Sequence, residues 1–131
     1  MADADAGTWI GRTEKRTGRL THELAGMLAG ALGHAVLPDP DIEDGAPMPT
    51  LWHWAAFPEF VPLADLGTDG HPRLGRFLPP LAFSRRMWAG GRLEFAGGFR
   101  IGETLTRRSE ILAVDEKDGA TGPMVFVRVG H

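Results

Sequence analysis

The chain has 131 residues, of which 43% are hydrophobic and 24% charged, a globular balance and not a disordered one. Fourteen Lys+Arg against 17 Asp+Glu leave a formal net charge of −3, which argues against a protein built mainly to grip the nucleic-acid backbone. There is no cysteine, so disulfides, thiolate metal sites and cysteine nucleophiles are all excluded.

The length predicts one domain over residues 1–131, with residues 1–8 as a loose tail. The start, Met1-Ala-Asp-Ala-Asp-Ala6, lacks the basic and apolar regions of a signal peptide. No apolar run approaches the ~18 residues of a membrane helix. The expectation is a cytoplasmic protein without membrane or nucleic-acid partners. Eighteen glycines and 10 prolines are about a fifth of the chain, above the usual ~12%. Four Trp and seven Phe are interleaved with them, which predicts a small sheet with buried aromatics and irregular connections.

The first strong periodicity is Leu20, Leu24, Met27, Leu28, Ala31 and Leu32, which share one helical stripe. A helix is predicted over 21–32, with Thr21 as N-cap, Glu23 in the first turn and Gly33 as the stop. Residues 34–49, rich in Pro and Asp/Glu, read as an exposed loop. Thr50 through Phe57 is apolar almost all round and predicts a short buried helix ended by Pro58. Residues 58–82 form a long Pro/Gly-rich connection, and connections of that length are usually functional.

The period then changes to two. Leu93 and Phe95, then Phe99 and Ile101, predict one long strand bent at Gly97-Gly98. Gly102-Glu103 reads as a turn, Leu105–Val114 as a second strand and 117–122 as a hairpin loop. Pro123–Val129 is a third strand with Val125, Val127 and Val129 on one face. Helices followed by a meander of about three antiparallel strands predict an α+β fold.

The stretch 76–95 holds the densest chemistry. Arg85 and Arg86 offer planar forks suited to phosphate or carboxylate, and Gly90-Gly91 admits a close ligand or backbone approach. Surface or interface ion pairs and a plain strand start are the competing readings of the same residues. The histidines His22, His34, His53, His71 and His131 have no carboxylate at an Asp-x4-His spacing. His53 reads as a hydrogen-bonded core residue, His22 and His34 as solvent-facing, and His131 as frayed. Asp39, Asp41, Glu43 and Asp44 fail as a calcium loop because of Pro40 and a missing terminal Glu. The tryptophans Trp9, Trp52, Trp54 and Trp88 are too scattered for a base-stacking platform.

Six stretches in order carry a resemblance. They are Pro49-Thr-Leu-Trp-His-Trp-Ala-Ala-Phe57, Leu66-Gly-Thr-Asp-Gly-His-Pro72, Phe77-Leu-Pro-Pro80, Arg85-Arg-Met-Trp-Ala-Gly-Gly91, Ser109-Glu-Ile-Leu-Ala-Val114 and Gly122-Pro-Met-Val-Phe-Val127. Over residues 8–131 the chain resembles the N-terminal half of the MaoC-like, fungal-type hotdog dehydratases, the group that contains the mesaconyl-C4-CoA (3-methylfumaryl-CoA) hydratases. The resemblance implies a single hotdog unit, a curved antiparallel sheet packed on a helix. Such a unit pairs into a double hotdog, as a homodimer or with a separate catalytic hotdog chain.

The resemblance also implies hydration or dehydration of an enoyl-CoA or 3-hydroxyacyl thioester, with coenzyme A or an acyl carrier as part of the substrate and no resident cofactor or metal. Members are about twice this long and carry the catalytic Asp and His in the second unit. The expectation is therefore a non-catalytic, substrate-accommodating half with no catalytic residue of its own. Arg85 and Arg86 are candidates for the carrier phosphates or the inter-unit contact. Trp88, Ala89, Gly90 and Gly91 would shape the passage, with Phe57 and Phe77 as further pocket candidates. Two alternatives are a structural or regulatory hotdog that binds no substrate, and an acyl-CoA thioesterase using Glu59.

Overall fold

The computed structural model describes residues 6–33, 42–83 and 85–131. Its helix, α1 (His22–Leu32), forms where the periodicity predicts it. Thr21 is extended, and its side-chain oxygen accepts the Leu24 N–H at 3.3 Å. Glu23 lies beside the positive first turn. At the far end Gly33 takes φ 72°, and its N–H reaches the Ala29 carbonyl at 3.0 Å. The buried stripe is rotated from the expected one. Ala25 is buried and Leu24, Leu28 and Ala29 pack on the core, whereas Met27 and Leu32 are exposed.

Three strands make one sheet in the order β1 (Thr13–Arg19), β2 (Thr104–Gly119), β3 (Gly122–Gly130). β1 was not visible in the sequence because Thr13-Glu-Lys-Arg-Thr-Gly-Arg19 has no apolar alternation. Near the start of β1 the Gly11 N–H donates to the Ile111 carbonyl, and Ile111 N–H donates to Arg12. Just past its end Leu20 accepts the Gly102 N–H, so β1 and β2 run antiparallel. β2 and β3 form an antiparallel hairpin closed at Gly119↔Gly122, tighter than the predicted 117–122 loop. The register shifts between Ile111 and Ala113, leaving Leu112 as the extra residue of a bulge. Val125, Val127 and Val129 do share the more buried face of β3.

The predicted strand through 92–101 is not formed. That segment makes only an isolated bridge, Arg100 with Pro47, extended by bonds from Met48 N–H to Phe99 and Ile101 N–H to Ala46. Period-two alternation needs a hydrogen-bonding neighbour to become a strand, and over Arg92–Gly98 no described segment provides one. The expected exposed loop 34–49 is also corrected in part. Residues 34–41 lie outside the described residues, as does His34, but Ala46 and Met48 are buried in the core. Of the expected tail, residues 1–5 lie outside the description, whereas Ala6–Trp9 form a 3-10 turn with Ala6 buried.

The described residues fall into two compact units. One comprises Arg16–Glu59 and Arg92–Arg107, the other Met1–Lys15, Phe60–Gly91 and Arg108–His131. The first holds the continuous core of Leu20, Ala25, Ala46, Met48, Trp52, Ala56, Ile101 and Leu105. Within it Trp52–Ala56 is a 3-10 turn and not a fully buried helix, with Trp52 and Ala56 inward and Trp54 exposed. Its N-cap is Leu51, not Thr50, and Leu51 adopts the left-handed φ of 74°. The second unit buries little apolar surface by comparison. Phe60, Leu63, Met87 and Trp88 are 92%, 86%, 85% and 73% exposed there.

A Cβ at Gly18 would lie 2.0 Å from the Ala56 carbonyl oxygen and 2.8 Å from the Phe57 ring. Gly18→Ala is expected to lower stability by about 1–3 kcal/mol through overpacking. Leu20→Ala is expected to cost about 2–5 kcal/mol as a cavity in the same core. Urea unfolding monitored by tryptophan fluorescence reads both.

Candidate functional site

Two places bring candidate chemistry together. The first is the Arg85–Gly91 segment singled out in the sequence. Arg86 is half-buried, and its Nε sits 2.8 Å from Asp69 Oδ2. Its Nη2 donates to the Pro72 carbonyl at 2.7 Å. Asp69 in turn accepts the His71 backbone N–H at 3.1 Å. A second cation closes the same loop from outside, with Arg76 Nη2 donating to Asp65 Oδ2 at 2.9 Å. Arg86 is therefore engaged in fastening the Gly67–Pro72 turn, and its fork is occupied by protein acceptors. Arg85 is exposed and, among the described residues, has no ion pair.

Trp88, Ala89, Gly90 and Gly91 are all exposed. The Trp88 ring folds back over Gly91, where an added Cβ would meet it at 2.7 Å. Only glycine permits that close approach at 91. Phe77 is half-buried in the same unit. Phe57 belongs to the other unit, where the Arg107 guanidinium lies 5.2 Å from its ring centroid.

The second place was not anticipated. A hollow of about 200 Å³ is lined by Met48, Pro49, Thr50, Leu51, His53, Phe95, Gly97, Gly98 and Phe99. The His53 ring lies 6.1 Å from Phe95, 5.8 Å from Phe99 and 6.3 Å from Trp54, centroid to centroid. His53 is half-buried and, contrary to the expected hydrogen-bonded core role, meets aromatic rings rather than a polar partner among the described residues. The signal in the sequence was there, a histidine bracketed by two tryptophans, but its exposed side could not be read from spacing.

The remaining histidines are elsewhere. His22 lies 3.2 Å from Glu23 and 3.6 Å from Asp44, with more than half its side chain in solvent. His71 contributes its backbone N–H to the Asp69 turn. His131, expected to be frayed, is tied at 2.9 Å through Nδ1 to the buried Ser109 hydroxyl. Glu59 pairs with Arg16 at 2.8 Å on the surface. No metal-holding cluster of His, Asp or Glu occurs among the described residues. No described helix is long and apolar enough to cross a membrane.

This small α+β arrangement, a helix with a three-stranded antiparallel sheet, is consistent with a hotdog domain. The sequence pattern of the hydroxyacyl-thioester dehydratase type 2 family matches residues 51–130, a stretch that includes both His53 and the Arg85–Gly91 segment. The chain belongs to that family. It is also 41% identical over 133 aligned positions to the mesaconyl-C4-CoA hydratase of Chloroflexus aurantiacus, an alignment that takes in 100% of this chain and 46% of the hydratase. The chain thus spans about half the length of the curated relative it matches.

The Asp69 carboxyl is held below the ordinary aspartate range, first by the His71 N–H and then by the Arg86 guanidinium. A carboxylate lowered in the folded state adds stability that is complete above its ordinary value. That contribution is lost as pH falls through the lowered one. The side-chain carboxyl carbon NMR signal of Asp69 is accordingly expected to titrate below the ordinary aspartate range. Asp69→Asn is expected to abolish that acid transition.

Proposed function

We propose that this chain is the non-catalytic, substrate-accommodating hotdog unit of an enoyl-CoA or 3-hydroxyacyl-thioester hydratase. It pairs with a second hotdog unit that supplies the catalytic Asp and His. The observation that carries this reading is the match of the whole chain to less than half of a hydratase of the same chemistry. Two further observations support it. Among the described residues, His22 comes within 4 Å of carboxylates, but in solvent at a helix start, a poor place to activate water. The Phe60–Gly91 part of the chain leaves large apolar side chains exposed of the kind that interfaces bury.

The two edges of the sheet differ. β1 carries Glu14, Lys15, Arg16 and Arg19, a charged edge of the kind that resists strand addition. β3 is the opposite edge and runs Pro-Met-Val-Phe-Val-Arg-Val, with Met124 and Phe126 exposed. Pairing along β3 extends the sheet where charge does not oppose it. In the assembled enzyme the partner's imidazole would act as base toward water while its carboxylate orients that ring, and backbone N–H groups would polarise the thioester carbonyl. Trp88, Ala89, Gly90 and Gly91 would shape the passage for the pantetheine arm, and Arg85, with its open fork, is the better placed of the two arginines for a carrier phosphate.

Light scattering after size exclusion is expected to show a pair for the parent chain and a folded monomer for Phe126→Lys. In a coupled hydration assay with crotonyl-CoA and mesaconyl-CoA, the chain by itself is expected to show no turnover. Adding a family hotdog unit that carries Asp and His restores it. Strong turnover by the chain alone would overturn the assignment. Stabilisation by coenzyme A thioesters in a thermal shift separates this role from a scaffold that binds no substrate.

A further inference from the structure

We infer that Met87 is a peroxide-sensitive modification site, the first of the described methionines to oxidise, and that its sulfoxide weakens association with the second hotdog unit. The oxidation is a property of this chain alone, whereas its effect on association rests on the proposed pairing.

The chain has five methionines, and those described sit in different surroundings. Met48 is buried in the core with Leu20 and Trp52. Met124 is partly shielded, because its sulfur lies close enough to Gly119 that an added Cβ there would meet it at 3.4 Å. Met27 is 66% exposed but belongs to α1, and long helical side chains fold back over the preceding turn. Met87 is 85% exposed and lies outside any helix or strand. Its neighbours in the chain explain that exposure. Arg86 is drawn inward by Asp69 at 2.8 Å and by the Pro72 carbonyl at 2.7 Å. Trp88 turns back onto Gly91. The residue between them is left in solvent.

The chemistry needs an accessible sulfur and hydrogen peroxide. A lone pair of the thioether attacks one peroxide oxygen, and the S–O bond forms as the O–O bond breaks. The proton on the transferred oxygen passes to the departing hydroxide, and water leaves. Sulfur is oxidised to the sulfoxide and the peroxide is reduced by the same electron pair. No other group of the protein takes part, so access to the sulfur sets the order among the methionines.

The product changes what the surface can bury. Met87 shares the Phe60–Gly91 segment with Phe60, Leu63 and Trp88, which are also exposed. The proposed pairing covers apolar groups of that kind. Oxidation replaces a soft apolar thioether by a polar S–O group that must shed its water when covered. Without a donor to receive it, that loss opposes association. The adjacent donor, Arg86, is already committed to Asp69 and Pro72.

The test treats the full chain with dilute hydrogen peroxide and follows each methionine by peptide mass spectrometry. Met87 is expected to gain one oxygen several-fold faster than Met27, and ahead of Met124 and Met48. Light scattering on the oxidised chain is then expected to show pairing weakened about tenfold or more. Methionine sulfoxide reductases are expected to restore it. Met87→Leu keeps the apolar bulk and is expected to stay paired through the same peroxide dose. Met87→Gln, polar from the start, is expected to pair weakly without peroxide. Oxidation of Met27 before Met87, or at the same rate, would overturn the site. Pairing that survives full conversion of Met87, or that peroxide abolishes equally in Met87→Leu, would overturn the link to association and leave the hydratase reading intact. A parent chain that is monomeric before any peroxide is added would overturn that link together with the proposed pairing, while the order of oxidation still decides the site.

Discussion

Between β1 and the Ala56 carbonyl there is no room for a side chain, and Gly18 is the residue that makes the contact possible. Much of the functional geometry of the Arg16–Glu59 and Arg92–Arg107 unit follows from this. With the 3-10 turn seated against β1, Ala56 and Trp52 enter the core alongside Leu20, Ile101 and Leu105. A core this small tolerates few rearrangements, because close-packed interiors resist even single-methylene changes. The turn is therefore fixed at both ends, and the chain entering it must bend through the left-handed conformation of Leu51. The orientation of His53 is a by-product of packing elsewhere, which is how a rigid scaffold positions a loop residue without dedicated hydrogen bonds.

The unit containing Phe60–Gly91 follows a different logic. It has few buried apolar side chains, and its loop is held by polar fasteners. Asp69 and Arg86 clamp the Gly67–Pro72 turn, and Asp65 and Arg76 close the same loop from outside. Partly exposed ion pairs are weak individually, so such a loop keeps its shape only while the local hydrogen bonds around it hold. Large aromatic and aliphatic groups remain outside, in a family whose curated relative is twice as long.

What could be read in advance depended on which force shaped each element. α1 was legible to within a residue because capping and periodicity are local, although its buried face turned out to be centred on Ala25 and not on Met27. β3 was legible because one of its faces is more buried than the other. β1 was not, since a charged edge strand has no apolar rhythm to detect. The alternation of Leu93, Phe95 and Phe99 was real, but the inference of a strand was not, because pairing is a property of two segments. Phe95 and Phe99 instead face His53. In the same way Arg86, a candidate for a carrier phosphate or an inter-unit contact, meets Asp69, seventeen residues earlier. Spacing alone could not show that partner.

The asymmetry between the two borders of the sheet has a consequence for how far association can proceed. A sheet that is adhesive on both borders can add copies without limit and grow into a filament. With charge concentrated on β1 and none before Arg128 on β3, the two borders are not equivalent, and β1 is the one that resists an added strand. The polar strand that the hydrophobic pattern overlooked is thus the border that guards the sheet against open-ended growth.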